Sequence, residues 1–130
     1  MDKDFEKLIE EAKKIAIKRN LSDYASCGHV GCALLTTKGN IYTGISVDSN
    51  CNLGKCAEYA AIAEMLKNKE SEISKIVAYS GKGTIYAPCG SCREMIRMVN
   101  KNNLHTEAMV SQDKVVKLKD LLPEMYITKK

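Results

Sequence analysis

A chain of 130 residues, 45% hydrophobic and 28% charged, has the size and composition of one globular domain, 1–130, far from disordered or collagen-like extremes. Twenty basic against sixteen acidic residues leave a formal charge of +4, too weak an excess for the dense basic face that nucleic acid demands. The opening MDKDFEKLIEEAKK is too charged for a secretory signal and no run of 18 apolar residues exists to span a bilayer, so a cytoplasmic location without membrane partners is expected.

In chain order, Phe5, Leu8, Ile9, Ala12, Ile15 and Ala16 recur at three- and four-residue intervals, which predicts an amphipathic helix over 4–19 with Asn20 as its stop. HVGCALLTT and IYTGISVD, joined by KGN with Gly39, predict a β-hairpin. CAEYAAIAEMLKNK is rich in alanine and other strong helix formers, KIVAYS reads as a short buried strand and GKGTIYAP as a loop. Residues 90–100 return to helical spacing through Met95, Ile96 and Val99. TEAMVS and VVKLK then read as closing strands, and DLLPEMY as a helical turn broken by Pro123. Helices set between successive strands require some parallel pairing through right-handed crossovers, so an α/β sandwich with a mixed five-stranded sheet is expected. Ligands of such sheets bind where loops leaving the strand ends run into helices.

Six cysteines in a chain without an export signal point away from a disulfide framework and toward metal or catalysis. Cys89 and Cys92 are three apart at a helix start, so they share one face and their sulfurs aim past the tip, where exposed amides favour thiolates. Cys56 opens its own helix and is placed to supply a third sulfur. Glu58, two positions later, would point elsewhere on a regular helix, but at a helix tip Cys56 is free of helical dihedrals and a long carboxylate can reach back around the end. Three protein ligands leave zinc a fourth position for water, the mark of a catalytic site, whereas structural zinc takes four. Cys27, Cys32, Cys51, His29 and His105 are the remaining candidates for a fourth ligand, and Cys51, five residues before Cys56, has the most suggestive spacing.

The set Cys56-Ala57-Glu58 and Pro88-Cys89-Gly90-Ser91-Cys92 resembles the zinc-dependent nucleobase deaminases, which carry His or Cys, any residue, Glu, then Pro-Cys-x-x-Cys. CAE with PCGSCRE looks like the small three-cysteine cytidine deaminases, and the likeness continues through VGCALLTTKGNIYTGISV and DLLPEMY. The resemblance implies a three-layer α/β/α sandwich and a homotetramer. It also implies zinc on Cys56, Cys89 and Cys92, and Glu58 as the group that moves protons while water replaces the amine on carbon 4 of cytosine, giving a uracil base and ammonia. It places the main chain of Ala57 against the base and the carbonyl of Ala87 near the leaving amine. Three thiolates outweigh the charge of zinc. Arg93, beside Cys92, is expected to hydrogen-bond a ligand sulfur and drain that excess, the more so because Tyr59 stands where the family commonly has arginine.

On the sugar side, Ser46-Val47-Asp48 corresponds to an Asn-Val-Glu stretch that holds the ribose hydroxyl in the family, with shorter side chains. Gly28, followed by His29, takes a position where the family often has phenylalanine. These features, with HVG and LLPEMY, are also similar to blasticidin S deaminases, so cytidine, deoxycytidine and a cytosine nucleoside antibiotic all stand as substrates. Tyr126 either packs the C-terminus or approaches the pocket, and Asp48 is either a substrate contact or a turn residue. His29 and His105 read as strand residues, Cys27, Cys32 and Cys51 as small hydrophobes or free thiols, and Met95, Ile96, Met98 and Val99 as core or subunit contacts. The competing class is a non-catalytic structural zinc protein, closed by Cys51; a redox pair of thiols and a nucleic-acid editing enzyme are further alternatives.

Overall fold

The computed structural model describes residues 1–127. Helix α1, Lys3–Ile15, is capped by Asp2, whose carboxylate accepts from the Asp4 amide at 2.7 Å, and it buries Phe5, Leu8 and Ala12. It ends four residues earlier than its periodicity predicts. The Ala16 amide closes on the Ala12 carbonyl, and Arg19–Ser22 becomes strand β1, pairing Arg19 with Cys27 and Asn20 with Ser26. Asn20 therefore lies in a strand and stops no helix.

The hairpin forms as β2, Ala25–Thr36, and β3, Ile41–Ser49. Helix α2, Ala57–Lys67, leads to β4, Ile73–Ser80, and then to β5, Ile85–Tyr86, which falls inside the segment expected to be a loop. Helix α3, Gly90–Val99, is followed by β6, Glu107–Ser111, and β7, Lys114–Lys117. A 3-10 turn, Leu118–Leu121, precedes Pro123. Five strands run β3-β2-β4-β6-β7, antiparallel except for the β4–β6 pair. The two additional strands make the sheet seven-stranded: β1 on β2, and β5 on β4 at Ala78↔Tyr86.

Alternation along the strands divides the core. Ala33, Val77 and Met109 face α1 with Phe5 and Leu8, while Cys32, Leu34, Ile76 and Ala108 face the opposite side with Ala61, Ile62 and Met65 of α2 and Ile96 of α3. This is the expected α/β/α layering. Gly44 of β3 lets α2 approach: a Cβ there would lie 2.4 Å from the Ala61 nitrogen and 2.6 Å from the Ala60 Cβ. Buried Asn103 ties the other helix to the sheet, donating to the Ile96 and Ser71 carbonyls and accepting from the Ile73 amide, each at 2.8–2.9 Å. Both helices thus present fixed N-termini to one side of the sheet. Among the described residues no helix is long and apolar enough to cross a membrane.

Candidate metal centre and cavity

Cys56 and Cys89 occupy the N-cap positions of α2 and α3, both with extended backbone (φ −66°, ψ 155° and φ −68°, ψ 167°). The non-helical cap is what lets Cys56 turn back over the helix tip while Glu58 already belongs to the first turn. Cys92 sits one turn into α3. The sulfurs of Cys56 and Cys89 are 3.5 Å apart, those of Cys89 and Cys92 3.4 Å, and all three lie within 4.8 Å of one another. Around a tetrahedral zinc with Zn–S bonds of about 2.3 Å, sulfurs stand roughly 3.8 Å apart, so only small adjustments separate this trio from a zinc-binding geometry.

The electrostatics of the donor set call for a cation. Burial pushes the Cys92 thiol well up, and the nearby Glu58 charge pushes in the same direction. Burial also raises Cys56. Cys89 goes the other way: against its burial, the Cys92 amide pointing toward its sulfur and the two neighbouring thiols hold it below the ordinary thiol value. A divalent ion that displaces these protons relieves the crowding of negative charge, so the cysteines fit zinc both by geometry and by charge. Glu58 is 5% exposed, and burial raises its carboxyl above the usual carboxylate range, opposed by its own amide. Cys32 lies under the site in the core, its thiol pushed far up by burial and then by Glu58.

A cavity of about 700 Å³ opens onto the cluster, a size common for small-molecule sites. Cys56, Cys89, Glu58, Ala57 and Ala87 line it from the helix tips, and Ser46 and Asp48 line it from β3. Ser46 is buried, and its hydroxyl oxygen accepts from the Val30 amide at 3.0 Å. Tyr126 does not line the cavity of its own chain: its side chain is 61% exposed, and its main chain is held by Glu94, which accepts from its amide at 2.8 Å, and by Arg97, which donates to its carbonyl.

Arg93 lies beside the centre but meets no ligand sulfur among the described residues. Its Nε donates to the Pro88 carbonyl at 2.7 Å, and a second nitrogen stands 3.5 Å from the Leu121 carbonyl. Arg93 is thus held by main-chain acceptors, one of them in the segment that leads into Cys89. Tyr59 is 46% exposed, with the Lys55 ammonium 5.9 Å from its ring centre. Cys51, exposed in a 3-10 turn with a left-handed φ of 62°, falls outside the sulfur cluster, so the closing fourth ligand required by a structural zinc site is not among the clustered donors. His105 lies in a 3-10 turn rather than a strand, and Cys27 is buried like Cys32.

His29, expected only as a strand residue or a spare metal ligand, lines the cavity, and so does Tyr86, which no motif singles out. Strand alternation gave no sign of either, because one sits in an irregular stretch of β2 and the other in a two-residue strand.

Three thiols gathered by two helix tips beside a buried glutamate, on the edge of an α/β/α sandwich, form the donor set of a zinc-binding protein. The family model for the cytidine and deoxycytidylate deaminase zinc-binding region matches residues 2–108, and the chain belongs to that family. It is 36% identical over 92 residues to a probable cytidine deaminase of Dictyostelium discoideum, covering 65% of this chain and 63% of that protein. It is 31% identical over 94 residues to a cytidine deaminase of Sporosarcina psychrophila, covering 72% and 68%. Among solved structures, cytidine deaminase from Mycobacterium tuberculosis superposes with a TM-score of 0.80 at 25% identity, covering 98% of this chain and all of that one. That of Burkholderia pseudomallei gives 0.72 at 29%, covering 93% and 98%.

Proposed function

We propose that this protein hydrolyses the exocyclic amine of the cytosine base in a free nucleoside, converting cytidine or deoxycytidine to uridine or deoxyuridine with release of ammonia. The observation that carries the reading is the clustering of the Cys56, Cys89 and Cys92 sulfurs beside a cavity lined by Cys56, Cys89 and buried Glu58. The cysteines would hold zinc, which when bound supplies the Lewis acidity that makes water a nucleophile at neutral pH.

Glu58 moves the protons. Its carboxylate takes one from the attacking water and gives it to ring nitrogen 3, and the second proton of that water passes through it to the departing amine. Carbon 4 gains an oxygen, loses nitrogen, and the balance is cytosine plus water to uracil plus ammonia. A carboxyl raised by burial suits this role, because its affinity for a proton moves closer to that of its partners. Ala57 and Ala87 offer main chain to the base and the leaving amine, and their small side chains keep the approach open. Ser46 and Asp48 stand on the sugar side.

The two apolar clusters on opposite faces of one sheet support reading the chain as a single domain. Exposed Leu53, Tyr59, Met98 and Tyr126 support self-association, for which a homotetramer is the proposal. The location proposed is the cytoplasm and the metabolic role pyrimidine salvage. The test is ammonia release by the zinc-loaded protein from cytidine, deoxycytidine and blasticidin S, beside Glu58→Gln. Activity on at least one substrate, with a loss of about 10²- to 10⁴-fold in the variant at unchanged zinc content, is the expected result. Full activity in the variant refutes the assignment, and sedimentation of the same samples reports the assembly.

A further inference from the structure

His29 reaches the cavity because β2 departs from regular pairing. Between Cys27↔Val47 and Gly31↔Ile45 the register slips, so residues 28–30 stand opposite Ser46 alone. Gly28 makes the detour with φ +84°, and a Cβ there would lie 2.0 Å from the Ile17 carbonyl oxygen. The detour is pinned on both sides. The Ser46 hydroxyl accepts from the Val30 amide at 3.0 Å, and the His29 carbonyl accepts from the Gly81 amide at 3.0 Å. The imidazole is left on the cavity wall with Nε2 3.4 Å from Asp48 Oδ2 and 3.3 Å from Ser26 Oγ.

Those contacts fix the chemistry that the wall presents. An ionised carboxylate only accepts, so a neutral imidazole turns its Nε2 hydrogen toward Asp48 or the Ser26 oxygen and leaves Nδ1 as a bare acceptor. Asp48 retains its second oxygen, also an acceptor. Ser46 has its oxygen engaged with the strand, which weakens it as a partner for anything in the cavity. Asp48 also lines an adjoining hollow of about 330 Å³, together with Ser26, so the contact forms part of the wall between the two spaces. That wall therefore suits a ligand with hydroxyl donors.

We infer that His29 is a specificity-determining residue that accepts a hydrogen bond from a secondary hydroxyl of the substrate's pentose, while orienting Asp48 as the second acceptor. The inference rests on the nucleoside reading above and moves the sugar contact from β3 alone to the bulge of β2 facing it.

The experiment compares wild type, His29→Phe and His29→Asn, all full-length and zinc-loaded, on cytidine and on 2',3'-dideoxycytidine. Phenylalanine keeps the ring without its nitrogens, and asparagine restores a polar group near the Nδ1 position. Loss of one net hydrogen bond corresponds to about a five- to tenfold rise in KM for cytidine in His29→Phe. We expect kcat within about twofold of wild type, no change in KM for the dideoxy substrate, and recovery of most of the loss in His29→Asn. An equal rise for both substrates marks a merely structural role and overturns the inference, as does an unchanged KM for cytidine. If the wild type deaminates neither substrate, the activity reading fails instead. Calorimetric binding of uridine and 2',3'-dideoxyuridine then decides the role of His29: a preference for uridine that vanishes in His29→Phe upholds it, and equal binding by wild type and variant rejects it.

Discussion

The Cys56 and Cys89 sulfurs meet at 3.5 Å although 33 residues separate them, each sitting at the N-cap of its own helix. Neither thiol makes a side-chain cap hydrogen bond, so the usual reward for an N-cap side chain is absent at both positions. The gathered sulfurs then depend on metal for their stabilisation. Zinc bound only by the folded chain adds about 4 kcal/mol when free metal is a thousandfold above its dissociation constant. We expect one zinc per chain by elemental analysis and a large drop in thermal midpoint on chelation. Cys89→Ala should melt near the chelated wild type and lose little more when chelated itself. A variant that stays as stable as the zinc-loaded wild type would show that the cluster does not hold the metal.

Much of this arrangement was legible beforehand, for reasons that also mark where legibility ends. The alanine-rich stretch after Cys56 and the apolar repeat around Ile96 identified α2 and α3, and the cysteine spacing then put three sulfurs at their tips. Strand β1 was hidden, because Arg19–Ser22 is exposed throughout and carries no apolar alternation. Only its pairing with Cys27 and Ser26 makes it a strand, and that same pairing ends α1 early. The place of His29 on the cavity wall is hidden by the bulge. A period of two assigns faces only while the register holds, and between Cys27 and Gly31 it does not.

A carboxylate clasp far from the metal gives the fold a defined pH dependence. Glu70, buried between α2 and β4, accepts from the Tyr42 hydroxyl at 2.6 Å and from the Asn40 side-chain Nδ2 at 2.8 Å. The Tyr42 hydrogen bond, followed by the Thr36 hydroxyl, holds the Glu70 carboxyl below the ordinary carboxylate value. The unfolded chain therefore binds this proton more readily, and the stabilisation is complete above the ordinary carboxylate pKa and lost as pH falls through the lowered one. Tyr42 is shifted upward, chiefly by its bond to Glu70, so its share is complete below the ordinary phenol value and lost as pH rises through the raised one. Urea midpoints of wild type and Glu70→Gln should differ most near neutrality and converge in acid. A gap that persists unchanged to pH 3 would contradict the clasp.

The close approach of α2 to β3 links packing to the site. At Gly44 even a methyl group meets the Ala61 nitrogen, the Ala60 side chain and the Ala57 carbonyl, the last at 2.7 Å, and these belong to the first turns of the helix that carries Cys56 and Glu58. Gly44→Ala should cost about 1–3 kcal/mol by overpacking and weaken zinc retention, since the helix tip has to move. Denaturant melts and competition with a colorimetric chelator read the two effects separately. Normal stability together with normal retention would mean that the strand shifts without disturbing α2.

Arg93 acts on the centre through the main chain. Its bond to the Pro88 carbonyl fixes the residue before Cys89, and the Leu121 carbonyl draws the same guanidinium toward the C-terminal turn. A hydrogen bond from a charged donor contributes about 1.5–3 kcal/mol, so Arg93→Ala should lower the thermal midpoint of chelated and zinc-loaded protein alike. Arg93→Lys should rescue little, because one ammonium does not reproduce a planar fork that serves two carbonyls. If the zinc-loaded form alone were destabilised, the arginine would be acting on sulfur charge after all; an equal loss in both forms ties it to the backbone that positions Cys89.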